Sequence, residues 1–372
     1  MDNSVLDVVR HLRGEENLTI NRANANRYRI VLNEQDGTQT AYYFSAPIYH
    51  SADRTPASLR FTGSGMLRGT NGMISVSGST IVFTKERDKI YCDFPAGPLQ
   101  RTGEIMTGEG IEIHPTLNGV AVKLSCGGEG ATIRIRTERP FWHIRANSKY
   151  FALMEEPFRP LLVLSGIGAF GDTGNLCGGV KMAFQKVHDQ EFTVWICSTS
   201  DDRRTLWLEM NLYEPKLFLD TTVESRHPSE NNAYGSTAFL GSTFSYGNQW
   251  LYTRPDYTIL DDVQSRELQQ AQLYVPIYGG TGAVLTGVTL SRRFCSFGST
   301  WENKVGTEKS FAESRASGQY HVLDLTSILI DPQSRMLCQP DGWVLRAKGV
   351  GYTAVSTGDS SFSPQILAVH FR

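Results

Sequence analysis

Residues 73–84 read MISVSGSTIVFT, and their alternation of apolar and polar side chains indicates the fold class. Apolar Ile74 and Val76 alternate with polar side chains before the Ser-Gly-Ser turn, and Ile81 and Phe83 lie two apart after it. A period of two places successive side chains on opposite faces of a strand, whereas a helix repeats its apolar residues every three or four positions. Glycine supplies the positive φ that tight turns between strands need. The stretch therefore predicts a β-hairpin with one buried face.

Similar alternation continues along the chain on both sides of this hairpin. It recurs in TAYYFSAPIYH (40–50), KIYCDF (89–94), EFTVWICS (191–198) and the closing QILAVHF (365–371). The 372 residues include 35 glycines and 15 prolines, a composition typical of many short strands joined by turns. We predict an all-β chain of tandem antiparallel β-sandwich units with a C-terminal jelly roll. Its helix content should stay below roughly 15%.

Helical patterns are confined to three short segments. The first is an N-terminal amphipathic helix within residues 1–18, in which Val5, Leu6, Val9 and Leu12 form an apolar stripe. The others are DDVQSRELQQ (261–270) and TEKSFAESR (307–315), both polar. The N-terminal stripe has two interpretations: it docks on another subunit as an assembly tether, or it caps its own domain. We predict the tether.

The length of the chain indicates more than one domain, because one core seldom fills a chain this long. The stretch EPKLFLDTTVESRHPSENN (214–232) joins an apolar strand to a loop rich in Pro and Asn, which marks a boundary. We predict three parts: the helix of residues 1–18, a β-rich sandwich region at 19–215 and a jelly-roll domain at 220–372. The middle region has an alternative division into two subunits near residue 105. The closing strand is expected to pair with QQAQLYVPI (269–277).

The charge and cysteine content exclude several classes of function. With 36 basic against 38 acidic residues, the chain lacks the positive field on which non-specific nucleic-acid binding depends. No apolar run reaches the roughly 18–20 residues of a membrane span, and no signal peptide is visible in this chain. The six cysteines contain no Cys-x-x-Cys pair, so we expect free thiols rather than a metal site. We expect an extracellular, cell-surface or virion location.

Five pieces of the C-terminal part follow one another in a recognisable order. They are NAYGSTAFLG (232–241), QAQLYVPI (270–277), HVLDLTS (321–327), DGWVLRAK (341–348) and FSPQILAVHF (362–371). Together they resemble the DNRLRE domain, a jelly-roll family of bacterial surface and secreted proteins related to carbohydrate-binding modules. The resemblance covers Leu219 to Arg372. It implies a binding or structural domain.

The preceding residues are similar to another known arrangement. YFSAPIY (43–49), TLNGVAVKL (116–124) and LWLEMNLYEPKLFLDT (206–221) resemble the β-rich region that precedes DNRLRE domains in Rhs/YD-repeat wall-associated proteins. This sequence carries no YD repeats after the DNRLRE-like part. The resemblance therefore implies a stand-alone component of a surface appendage, phage or phage-like particle.

Candidate binding residues are aromatic, because a ring face stacks on the apolar face of a sugar. Trp301 is the preferred one, since it lies in a predicted loop, and Trp250 and Tyr252 are further candidates that share one strand face. No cofactor is expected. A calcium ion is the exception, with loop oxygens of Asp220, Glu230, Asn231 and Asn232 as its candidate ligands.

Three functions follow, in order of preference. The first is a non-catalytic structural or adhesive component of an extracellular assembly, whose partners are copies of itself or other structural subunits. The second is a carbohydrate-binding module that recognises polysaccharide. The third is a polysaccharide-active enzyme. Ser165 follows an apolar strand but lacks the G-x-S-x-G turn of hydrolases, so we expect substitutions at Ser165 or His188 to affect stability only.

Overall fold

The computed structural model describes residues 5–15, 18, 26–50, 55–57, 59–126, 130–141, 143–200 and 204–372. Strand makes up 55% and helix 5% of the protein, so the all-β prediction is confirmed. No helix in these ranges is long and apolar enough to cross a membrane.

The protein is built from many short strands and a few short helical segments. The helices are α1 (Val5–Arg13), α2 (Thr326–Leu329) and a 3-10 turn (Asp261–Val263). The strands are β1 (Arg29–Asn33), β2 (Gln39–Phe44), β3 (Met66–Gly69), β4 (Gly72–Ser77), β5 (Thr80–Lys85), β6 (Asp88–Asp93), β7 (Gln100–Thr102), β8 (Ile105–Gly108), β9 (Ile111–Pro115), β10 (Gly119–Cys126), β11 (Ala131–Thr137), β12 (His143–Ala146), β13 (Tyr150–Glu156), β14 (Arg159–Phe170), β15 (Leu176–Gly178), β16 (Val180–His188), β17 (Glu191–Ser198), β18 (Arg204–Leu212), β19 (Phe218–Glu224), β20 (Thr237–Thr243), β21 (Gly247–Pro255), β22 (Leu268–Gly280), β23 (Val284–Leu290), β24 (Thr307–Glu313), β25 (Arg315–Ser317), β26 (Tyr320–Asp324), β27 (Trp343–Lys348), β28 (Tyr352–Ser356) and β29 (Ile366–Phe371).

The chain divides into two compact units. Unit 1 contains His50–Glu214 and Tyr234–Ser236, and unit 2 contains Val5–Tyr49, Pro215–Ala233 and Thr237–Arg372. The long segment of unit 1 ends at the start of the 214–232 stretch. The N-terminal side differs from the predicted division, because β1 and β2 belong to unit 2, where β2 pairs with β29. Because β2 and β29 lie far apart in the sequence, neither strand carries a local pattern that predicts their pairing.

Unit 1 is a β-sandwich with one core. Among the described residues, one sheet has the order β12-β13-β14-β18-β10-β9-β8-β7 with β15 beside β14, and the other has the order β16-β17-β11-β6-β5-β4-β3. Alternate side chains of both sheets meet in a single apolar cluster that runs from Phe61 to Leu212. The alternative split near residue 105 has no counterpart, since that residue begins β8 inside the sheet.

Unit 2 also has two layers of strands, and β22 belongs to both. Its first part, Leu268–Pro276, pairs with β29 and β26, and its last part, Ile277–Gly280, pairs with β28. On β22, Ala271, Leu273 and Val275 point into the core between the layers. The sequence prediction for the closing strand is confirmed, because β29 lies beside β22 as expected.

The structure bears on two helical predictions. Helix α1 buries Val5 and Val9 in its own chain, and Arg13 at its end donates to Glu34 Oε1 at 2.7 Å. These contacts favour the self-capping interpretation, and the tether to another subunit stays a prediction. Residues 307–313 form strand β24, which among the described strands ends its sheet and pairs on one side, with β23. Such edge strands carry polar side chains that resemble a solvated helix in sequence.

The six cysteines are free thiols, as expected. Cys92 is buried on β6, where burial raises the pKa of its thiol. The side chain acts there as a small apolar residue in the core of unit 1.

The register of β29 makes a direct test of the fold. Leu367 lies in the core of unit 2, whereas His370 on the same strand points to the other face. Leu367→Ala should lower the free energy of unfolding by about 2–5 kcal/mol. His370→Ala, which removes one contact to Thr40 Oγ1, should cost about 1 kcal/mol or less. Urea denaturation of the two variants measures this, and equal losses would contradict the register.

Candidate functional site

Trp250 and Trp301 lie together on the outer face of unit 2. Trp250 belongs to β21 and Trp301 to the loop 291–306, and their ring centroids are 5.0 Å apart. The Arg346 guanidinium lies 4.3 Å from the Trp250 ring centroid, and Lys304 Nζ lies 4.4 Å from that of Trp301. The structure thus brings the two predicted residues together. Their rings are already in contact with each other and with cations of the same chain, so a sugar would have to compete with these contacts.

Tyr252 is a core residue rather than a surface one, which corrects its assignment as a ligand-binding candidate. Its side chain is fully buried, and its hydroxyl donates to the Val305 carbonyl at 2.9 Å. Burial raises its pKa to about 12. The sequence placed Trp250 and Tyr252 on one strand face, but it did not reveal that the loop 291–306 covers that face.

The calcium candidates Asp220, Asn231 and Asn232 do not converge on one point. Asn231 Nδ2 donates at 2.8 Å to each of the carbonyls of Ser296 and Ser299, and it also contacts Thr221 Oγ1. Asp220 precedes Thr221 on β19, and successive strand residues point to opposite faces. The Asn232 side-chain amide donates from Nδ2 to the Thr222 carbonyl at 3.1 Å. The side chains of Asn231 and Asn232 hold the loops in place through these hydrogen bonds. This corrects their assignment as calcium ligands.

Asp220 lies in a separate buried polar cluster. One of its carboxylate oxygens accepts from the Gly358 amide, and its neighbours include Asp359 and Lys216. Burial, followed by the negative charge of Asp359, raises the pKa of Asp220 well above its usual value. When two acids lie close together in a buried site, the state in which they share one proton is more stable than the state in which both are ionised.

Ser165 and His188 have structural partners. Ser165 is buried on β14, and its hydroxyl lies 2.7 Å from that of Ser236. His188 Nε2 lies 3.3 Å from a carboxylate oxygen of Glu191. A nucleophile must be presented to its substrate, and Ser165 is not exposed to one.

A concavity with an exposed aromatic ring lies on the outer face of unit 1. It has a volume of about 620 Å³ and follows β16, β17 and β11, with Trp195 of β17 in its lining. Trp195 lies opposite Ala183 of β16 and Thr132 of β11, so small side chains flank it on both neighbouring strands. We refer to this concavity as the Trp195 groove.

Trp195 differs from the two tryptophans of unit 2 in what surrounds its ring. Its side chain is 42% exposed. In the described part of the chain, no cation and no second aromatic ring stacks on it. Lys181 and the Thr132 hydroxyl lie along the same groove and can donate hydrogen bonds to a ligand.

Gly130 shapes one end of the groove. Its φ is +78°, and a Cβ atom there would lie 2.2 Å from the Ile196 carbonyl oxygen. Only glycine combines this left-handed backbone with so close an approach. Gly130 itself therefore passes close to β17 without placing a side chain over the groove.

The sequence analysis did not identify Trp195, although a signal existed. Phe192, Val194 and Ile196 point into the core of unit 1, so the period of two places Trp195 outside. The alternation of EFTVWICS predicts a half-buried strand, and the same alternation places the single residue Trp195 on the outer face.

A second concavity lies on unit 2, with a volume of about 230 Å³. Its polar groups bond mainly to each other: Thr40 Oγ1 donates to Glu34 at 2.6 Å, and the Tyr274 hydroxyl donates to Gln272 at 3.2 Å. A ligand here would have to break these bonds. The Trp195 groove is therefore the better candidate.

Comparisons of the chain with protein-family models and with curated proteins find no match. Its function is therefore inferred from the geometry of its grooves and side-chain clusters.

The state of Asp220 is testable through pH. Because its folded-state pKa is raised, its contribution to stability is complete below its unfolded value and is lost as pH rises through the folded value. Asp220→Asn stays neutral and keeps an acceptor for the Gly358 amide. This variant should melt at a higher temperature than the parent protein at pH 8, with the difference shrinking towards pH 4.

The matched control is Asp341→Asn, which changes an exposed acid of the same unit. Its melting temperature should follow that of the parent protein across this range. A calcium-dependent rise in melting temperature that Asp220→Asn abolishes would contradict the shared-proton interpretation and restore Asp220 as a calcium ligand.

Proposed function

We propose that the chain is a non-catalytic adhesive component of an extracellular assembly and that it binds polysaccharide through the Trp195 groove. The observation that carries this proposal is the Trp195 ring, exposed on a sheet face between small neighbours and free of stacked groups in the described chain. Such a ring offers a flat apolar surface to the C–H face of a pyranose.

Sugar recognition also needs hydrogen bonds to the sugar hydroxyls, and the polar groups of the groove can supply them. Lys181 and Thr132 lie beside the ring, where an ammonium and a hydroxyl can bond to sugar hydroxyls. Arg134 is further along the same sheet face, and Glu191 holds it through two hydrogen bonds of 2.7 and 2.8 Å. Among the described residues, Glu191 neutralises Arg134 and leaves Lys181 as the main positive charge that lines the groove. A neutral polysaccharide fits this mixture better than a strongly acidic one, which needs several cations.

The open shape of the groove bears on affinity. A single stacked ring contributes on the order of 1 kcal/mol beyond its buried area, so one groove alone binds weakly. Weak sites become effective when many copies engage one polymer at once. This supports placing the chain in a repeated assembly rather than as a lone binding module.

The edge of the same sheet supports contacts between subunits. Strand β16 lies at one end of its sheet, and Phe184 and Val187 on it are 43% and 52% exposed. An unpaired edge with apolar side chains is a surface that a neighbouring chain can cover. A structural role through this edge is the second candidate function.

The DNRLRE resemblance supports the proposal in a limited way. The pieces at 232–241, 270–277, 321–327, 341–348 and 362–371 contain or overlap β20, β22, β26, β27 and β29. These strands all belong to unit 2. Membership of that family and an extracellular location remain part of the proposal.

Substitution of Trp195 tests this function. Trp195→Ala should abolish retardation of the protein in native gels that contain neutral polysaccharides, because the stacking surface is lost. Trp195→Phe should keep part of it, since a smaller ring remains. Trp301→Ala is the matched control and should be retarded like the parent protein.

Circular dichroism and melting curves show whether each variant folds. Trp195 is 42% exposed and the rest of its side chain is covered by the protein, so its loss should lower the free energy of unfolding by roughly 1–3 kcal/mol. Retardation that persists in folded Trp195→Ala but disappears in Trp301→Ala would contradict the assignment of the groove.

A further inference from the structure

Glu224, His227 and Glu230 bring three metal-ligating side chains together in unit 2. Glu224 ends β19, and the other two follow in the loop to β20. Among the described residues they form the one such group of three, with one ligand atom from each residue lying within 4.8 Å of the others. The set is not simply acidic, because it includes an imidazole.

The loop that carries the cluster is fixed at several points. The Ser225 amide donates to the Asn248 carbonyl at 3.0 Å, and the Glu230 amide donates to the His227 carbonyl at 3.0 Å. Asn231 then ties the far side of the loop to the carbonyls of Ser296 and Ser299. The ligand atoms are thus held together before any ion binds, which lowers the entropic cost of binding.

The Glu224 carboxylate is fully buried and points into the cluster. Its Oε1 accepts from His227 Nδ1 at 2.8 Å, and its Oε2 accepts from Gln249 Nε2 at 2.7 Å. The other end of the Gln249 amide accepts from the Phe239 amide, which fixes its orientation. Groups that orient a ligand in this way are typical of metal sites.

The two other ligands leave a path for an ion. The His227 side chain is 34% exposed, and Glu230 is half-buried. A cation placed among Glu224, His227 and Glu230 would balance the charge of two carboxylates in a partly buried site.

We propose that Glu224, His227 and Glu230 bind a divalent transition-metal ion of the zinc type. One imidazole and two carboxylates supply three ligands for a four-coordinate ion, and water completes the set. The ion displaces the proton that His227 Nδ1 donates to Glu224 Oε1, and this proton passes to solvent. Calcium prefers six to eight oxygen ligands and has no use for the imidazole. The ion joins the end of β19 to the loop that Asn231 anchors to residues 296–299, so it stabilises unit 2.

The test uses the full chain after treatment with a chelator, with Zn²⁺ as the probe. Isothermal titration should show one Zn²⁺ per chain, and Zn²⁺ should raise the melting temperature. His227→Ala and Glu230→Gln should each weaken binding at least about tenfold. His188→Ala is the control, because His188 also lies beside a glutamate, Glu191, but without a third ligand in the described structure.

The variants leave the buried Glu224 in place, so they should fold like the parent protein, and circular dichroism checks this. Equal Zn²⁺ affinity in the parent protein, His227→Ala and Glu230→Gln would overturn the proposal. So would Zn²⁺ binding that raises no melting temperature, or Ca²⁺ binding as tight as Zn²⁺ binding at the same residues. None of these results depends on the sugar-binding proposal.

Discussion

A strand paired on both sides sends successive side chains to opposite faces, and a two-layer sandwich buries one face of each sheet. This constraint decides what each unit presents to solvent. In unit 1, burial of Val194 and Ile196 leaves Trp195 outside. In unit 2, the same rule puts Trp250 and Tyr252 on an outer face, but the loop 291–306 covers them and Tyr252 becomes core. The pleat of a strand determines to which face each side chain points. The loops determine which of the outward side chains remain accessible to solvent.

The fold class was predictable because alternation is a local property of the sequence. The hairpin at 73–84 appears as β4 and β5, and the closing strand lies beside β22. Other features depend on contacts between distant residues. The pairing of Ala41 with Val369 that places β2 in unit 2 leaves no trace in either strand alone. The same holds for β24, whose polar side chains suit an exposed edge as well as a helix.

The candidate site was less predictable than the fold. A position in a loop favours Trp301 as an exposed ring, yet loops fold back, and this one brings Trp301 against Trp250. Trp195 was predictable from the alternation of EFTVWICS, but tryptophans in the C-terminal part were preferred as candidates. The sequence pointed to Glu230 as a loop ligand for a cation, but not to its grouping with Glu224 and His227, because spacing rules for metal ligands hold within helices and defined turns and an irregular loop has none.

Fluorine NMR can show whether the outward, uncovered Trp195 makes unit 1 a sugar-binding surface. The protein is labelled with 5-fluorotryptophan, its six tryptophan signals are assigned by single substitutions, and neutral oligosaccharides are titrated. We expect a saturable shift of the Trp195 signal, with the Trp250 and Trp301 signals unchanged. A saturable shift at Trp250 or Trp301 with Trp195 unmoved, or no shift with any oligosaccharide, would contradict the assignment of sugar binding to the Trp195 groove.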